Sequence, residues 1–136
     1  MNGLVYATVG FAADQAGNGV AYVRIGDGGE APVLRVPFTV TRYPALLERE
    51  VGYAAVTACA FALRSRGIAR ARVVVEDARL AQDVLEHRDV PHALTLAYVR
   101  LRCALNQFRE YEIAAADAPG DLTARARSEV ALHVAA

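Results

Sequence analysis

A chain of 136 residues with fifteen basic and fifteen acidic side chains, 54% hydrophobic and 22% charged, has the composition of one globular domain (residues 1–136) rather than a disordered segment. Zero net charge argues against a strong, sequence-independent polyanion binder, which needs clustered positive charge; a local patch stays open.

The first third reads as strands. Leu4 to Ala12 is apolar and rich in β-formers, and the "DQAGNG" that follows supplies turn chemistry. Val20 to Ile25 is the returning strand. Val33 to Thr41 is the third, with Val36, Phe38 and Val40 on one face and Arg35, Thr39 and Thr41 on the other. Pro37 cannot donate to a ladder, so this strand is expected at a sheet edge. From Ala45 to Arg64 apolar or small residues cover most faces, which predicts a helix packed between other elements and closed by Gly67. Arg72 to Glu76 is a short strand whose valines predict burial on both faces. Helical patterns follow at Ala78–Glu86 and Ala93–Phe108, then a strand at Tyr111–Ala116. A last helix is capped by Asp121 and runs through Ala131.

Cys59 and Cys103 both fall in apolar helical patterns and are expected to be buried free thiols. No charged-then-apolar leader opens the chain and no apolar run nears membrane-spanning length, so a cytoplasmic protein with no membrane partner is expected. All fifteen basic residues are Arg; beside abundant Ala this reads as composition bias before it reads as a set of phosphate forks.

Four stretches carry a family resemblance. "VGFAADQAGNGVAYV" (Val9 to Val23) resembles the opening hairpin of the ribonuclease H-like family, and "VGYAAVTACAFAL" (Val51 to Leu63) its central helix. "VVVEDARLAQDVL" (Val73 to Leu85) is similar to its fourth strand and following helix, and "DAPGDLTARARSEVA" (Asp117 to Ala131) to its last strand-to-helix segment. The resemblance implies an α/β fold: a five-stranded mixed sheet in the order β-β-β-α-β-α-β-α, with helices on both faces. It also implies a relation to enzymes that cut the RNA strand of an RNA–DNA hybrid with two magnesium ions, held by several converging carboxylates.

Carried over residue by residue, the family's four carboxylate positions fall on Val9, Gly52, Asp77 and Arg125; Asp77 alone is an acid. A helix advances about 100° per residue, so Glu50 points away from Gly52, whereas Glu48 shares its face about 6 Å along the axis. Asp121 stands in the same relation to Arg125. An active magnesium- or manganese-dependent ribonuclease would therefore need a displaced set, Glu48, Asp77 and Asp121. The first strand offers it nothing, because Ala7, Val9, Phe11 and Ala13 share one parity and none binds metal. The alternative is a metal-free cleft in which Arg125 pairs with Asp77.

Glu76 precedes Asp77 on a strand, faces the other way, and reads as a rim or interface charge. Arg64, Arg66, Arg70 and Arg72, or else Arg100, Arg102 and Arg109, could form a nucleic-acid face; solvated arginines are the plainer reading. Tyr43 and Tyr53 read as packing residues, and His92 as a surface or capping residue. The expectation is a ribonuclease H-like domain without resident metal that binds an RNA–DNA hybrid, a single strand or a protein. A structural homodimer, with the Pro37 strand as one candidate surface, is a further possibility.

Overall fold

The computed structural model describes residues 4–26, 31–40, 48–86, 90–116 and 120–135. Strands β1 (Val5–Ala13), β2 (Asn18–Ile25) and β3 (Val33–Thr39) form an antiparallel meander. Helix α1 (Glu48–Ser65) leads to β4 (Arg70–Val75), which pairs parallel with β1. Helix α2 (Ala78–Glu86), a 3₁₀ turn at His92–Leu94 and α3 (Thr95–Leu105) lead to β5 (Glu110–Ala115), parallel with β4; α4 (Asp121–Ala135) ends the chain. The sheet order is β3-β2-β1-β4-β5, so the Pro37 strand lies at an edge as expected.

Alternation along β1 and β2 assigns the two faces. Ala7, Val9, Ala21 and Val23 point into the main core with α1, α2 and α3; Val20 and Tyr22 point the other way, onto Leu122 and Ala126 of α4. Helices therefore cover both faces. Gly67 takes a left-handed φ of 83° just past α1 and closes it as expected. The exposed Arg35 and Thr39 and the buried Val36, Phe38 and Val40 reproduce the alternation read in β3.

Three expectations change. The helix foreseen over Ala93–Phe108 divides into the 3₁₀ turn and α3, and Phe108 folds back into the core at 5% exposure. Strand β4 is fully buried on one face only, through Ala71, Val73 and Val75, because α4 covers β1 and β2 rather than β4. Cys59 is buried but Cys103 is exposed, since α3 turns only one side to the core. The residues assigned to the start of the central helix, 45–47, and Thr41 and Tyr43 lie outside the described residues. Among the described residues no helix is long and apolar enough to cross a membrane.

A polar knot ties α1 to α2 and α3 inside the core. The Tyr53 hydroxyl donates to Asp83 Oδ2 at 2.5 Å and Arg49 donates to the same oxygen at 2.8 Å. The Tyr98 hydroxyl donates to the Asp83 carbonyl (3.2 Å) and Arg102 to the Val84 carbonyl (3.3 Å), so α3 side chains satisfy acceptors left open near the end of α2. Burial, and then the bond to Asp83, pushes the Tyr53 hydroxyl up to about 12. The unfolded chain would ionise this tyrosine near pH 10 while the native state keeps its proton. Stability contributed by Tyr53 is thus complete below pH 10 and lost as pH rises through 12. Urea titrations at pH 9 and pH 11 should show a lower midpoint at pH 11, and Tyr53→Phe should flatten the difference.

Candidate functional site: the cleft at the end of β1 and β4

The carboxyl ends of β1 and β4, the start of α1 and the first turns of α2 and α4 surround a cavity of about 340 Å³. It is lined by Phe11, Ala12, Ala13, Glu48, Val51, Glu76, Asp77, Thr123 and Arg127. Three acids and one guanidinium meet there, on four different elements.

Glu76 is not the rim charge that strand alternation implies. Its Oε1 accepts the Thr123 N–H at 2.8 Å and the Thr123 hydroxyl at 2.5 Å. Asp121, expected to cap this helix, is instead its first residue; Gly120 before it has no side chain to cap with, so Glu76 at the end of β4 supplies the acceptor for an open N–H of the first turn. Two glycines make room for it. A Cβ on Gly120 would lie 2.1 Å from Glu76 Oε2; one on Gly10 would lie 2.3 Å from the Thr123 nitrogen and 2.6 Å from Glu76 Oε1. Glu76→Ala should cost about 1–2 kcal/mol, the loss of a helix cap. Gly10→Ala, which must push a helix backbone away, should cost about 1–3 kcal/mol. Chemical denaturation compares them directly, and an unchanged midpoint for Gly10→Ala would contradict the close approach.

Asp77 caps α2: its Oδ1 accepts the N–H groups of Arg79 (3.1 Å) and Leu80 (3.2 Å). The proposed pair of Asp77 with Arg125 is corrected, because the Arg125 guanidinium lies over the Tyr22 ring, 4.4 Å from its centroid. The phase of α4 explains this. Leu122 and Ala126 bury against the sheet, Thr123 and Arg127 one position on face the cleft, and Arg125 falls on the other flank. Arg127, absent from the sequence reading, is the cleft's guanidinium.

The remaining positions are closed by packing. Val9 is fully buried, its neighbours across the ladder being Val23 and Val75. At Gly52 a Cβ would stand 2.9 Å from Leu80 Cδ1 and 3.2 Å from Phe11 Cζ, so the ring of Phe11 fills the space above the helix. Glu48 reaches the cavity, as its position on the face of Gly52 implied. Asp121 does not: it pairs with Arg24 of β2, which holds its carboxyl below the usual carboxylate range. On the flank of Arg125, Glu129 takes both Arg35 nitrogens (2.8 and 2.7 Å) and the Tyr22 hydroxyl.

The basic group at the opposite end of β4 is largely neutralised. Arg72 pairs with Glu112 at 3.1 Å and lies 5.6 Å from the centroid of Tyr6; Arg70 pairs with Glu110 at 3.8 Å. Arg64 reaches the Ile68 carbonyl at 3.5 Å, and Arg66 is exposed. The parallel register of β4 with β5, which aligns Arg70 with Glu110 and Arg72 with Glu112, sets these acids opposite the arginines.

No protein-family model and no curated protein matches this sequence. Solved structures do. RNase H1 from the halophilic archaeon Halobacterium salinarum has a TM-score of 0.71 at 17% identity, with 96% of this chain and 99% of that one covered. The N-terminal RNase H domain of a Mycobacterium tuberculosis protein has a TM-score of 0.70 at 15% identity, covering 97% and 99%. LC11-RNase H1 in complex with an RNA/DNA hybrid has a TM-score of 0.64 at 12% identity, again covering 97% and 99%. The meander, the parallel pairs β1–β4–β5 and the helices on both faces match along almost the whole of each neighbour: this chain has the ribonuclease H-like fold.

Proposed function

We propose that this chain is a ribonuclease H-like domain that binds nucleic acid, foremost an RNA–DNA hybrid, without cutting it. The observation that carries the proposal is the packing of Val9, Phe11 and Leu80 where the resemblance asks for carboxylates on β1 and α1. The residues present do not fit a two-ion magnesium or manganese site, which needs oxygen ligands converging from several elements. Glu76 is committed to the first turn of α4 and Asp77 to that of α2; the β1 position is aliphatic. The displaced set of Glu48, Asp77 and Asp121 draws no support, since Asp121 is held by Arg24 outside the cavity.

Nucleic acid as the ligand is supported by the fold's neighbours, one of which was solved with an RNA/DNA hybrid. It is also supported by two exposed arginines on the helices bordering the cleft, Arg79 on α2 and Arg127 on α4. These are better placed than Arg70 and Arg72, whose charges face glutamates.

Fluorescence anisotropy with a labelled hybrid in chelator should give binding that weakens as salt rises. Arg79→Glu and Arg127→Glu together should reduce it, and Arg64→Glu with Arg66→Glu should leave it unchanged. No binding at low salt, with the protein folded, would remove the nucleic-acid reading.

A further inference from the structure

On the side of the sheet opposite α4, α1 and α3, with the end of β3, border a groove that no described element covers. Its centre is Phe61, 56% exposed on α1, which shares the lining of two hollows with Ala97, Arg100, Cys103 and Ala104 of α3. On one side of Phe61 lies a hollow of about 250 Å³, whose apolar wall is Phe38, Val40, Ala54, Ala58 and Ala97 and whose rim carries Glu50 and Arg100. On the other side lies a second hollow, bordered by Arg64, Ser65, Cys103 and Gln107. A knob and a hole thus stand one helical turn apart on the same ridge. Soluble monomers rarely leave an aromatic ring exposed beside an open apolar hollow without a use for it.

The charges along that ridge say what fits. Glu50 stands in the first turn of α1 and Arg64 in the last, so the ridge is acidic at one end and basic at the other. Place a second α1 antiparallel to the first, with the two-fold axis between Thr57 and Ala58. Phe61 of each copy then falls opposite Ala54 of the other and enters its apolar hollow. Glu50 falls opposite Ser65 and within reach of Arg64. The small side chains at 54 and 58 allow close approach, and the helix dipoles oppose. Both matches arise from one operation, as a self-complementary two-fold interface requires.

We infer that the α1–α3 groove is the interface of a homodimer, with Phe61 as its anchor and Glu50–Arg64 pairs at its ends. The surface includes the end of β3 at Phe38 and Thr39 and lies on the opposite face of the sheet from α4, so dimerisation leaves Arg125 and Arg127 accessible.

Sedimentation equilibrium on the full chain is expected to show a concentration-dependent monomer–dimer equilibrium. Phe61→Glu should raise the dissociation constant by about thirtyfold or more, as loss of an interface anchor does, with circular dichroism unchanged. Glu50→Arg and Arg64→Glu should each weaken the dimer several-fold, and the two together in one chain should restore it. A protein that stays monomeric at high concentration, a dimer indifferent to Phe61→Glu, or a double charge reversal that fails to restore association would each overturn the assignment.

Discussion

Val9→Asp is expected to unfold the domain at neutral pH, although it restores the residue type that the family resemblance places there. Val9 has no exposed surface and lies in a ladder between Val23 and Val75, with aliphatic side chains on the same face in both neighbours. Burying an unpaired carboxylate in such surroundings costs at least about 4 kcal/mol, and the group would rather take up a proton than ionise. That is most of the margin of an ordinary domain. Gly52→Glu meets a different obstacle, the Phe11 ring and Leu80 Cδ1, and adding Phe11→Gly should ease it without providing a ligand on β1. Thermal unfolding monitored by circular dichroism decides the point. A Val9→Asp protein with native stability and a normal carboxylate pKa would show that the cleft reaches position 9 after all.

The second large effect is expected at Asp83, whose side chain is 4% exposed and accepts from both Tyr53 and Arg49. Asp83→Ala leaves a buried hydroxyl without its acceptor and a guanidinium without its counter-charge. The expected cost is about 3–5 kcal/mol, the range for breaking a buried pair by removing one partner. Tyr53→Phe removes the hydroxyl itself and should cost about 1 kcal/mol. In the Asp83→Ala background that substitution should cost nothing or gain a little, because the orphaned group disappears with it. Urea midpoints for the two single variants and the double variant measure this coupling. Strict additivity would mean that the three side chains do not act as one unit.

The parts of the fold legible in the sequence were those fixed by local pattern. Parity alone put Ala7, Val9, Phe11 and Ala13 on one face of β1, and a proline in a strand marked the edge. A glycine after an apolar run marked the end of α1. The cleft was less legible because its partners meet across long separations. Glu76 and Thr123 are 47 residues apart, and nothing near Glu76 announces that Gly120 leaves a helix start in need of an acceptor. The choice between Arg125 and Arg127 was available: Leu122 and Ala126 are the apolar pair of the first turns of α4, and they set its phase. Asp77 as the cap of α2 was likewise readable from its place directly before a helical run. Strand pairing, by contrast, sets Glu110 and Glu112 beside Arg70 and Arg72, and one strand's sequence says nothing of its neighbour's register. In α3, apolar residues on nearly every side concealed which flank would be left open, and with it the exposure of Cys103.

The most direct measurement is incubation of purified protein, in excess over a strand-labelled RNA–DNA hybrid, with millimolar manganese and then magnesium, resolving the RNA on a denaturing gel. A cleft plugged by valine and phenylalanine predicts full-length RNA at every time point, identical to the Asp77→Ala protein. Metal-dependent fragments that vanish in Asp77→Ala would contradict it.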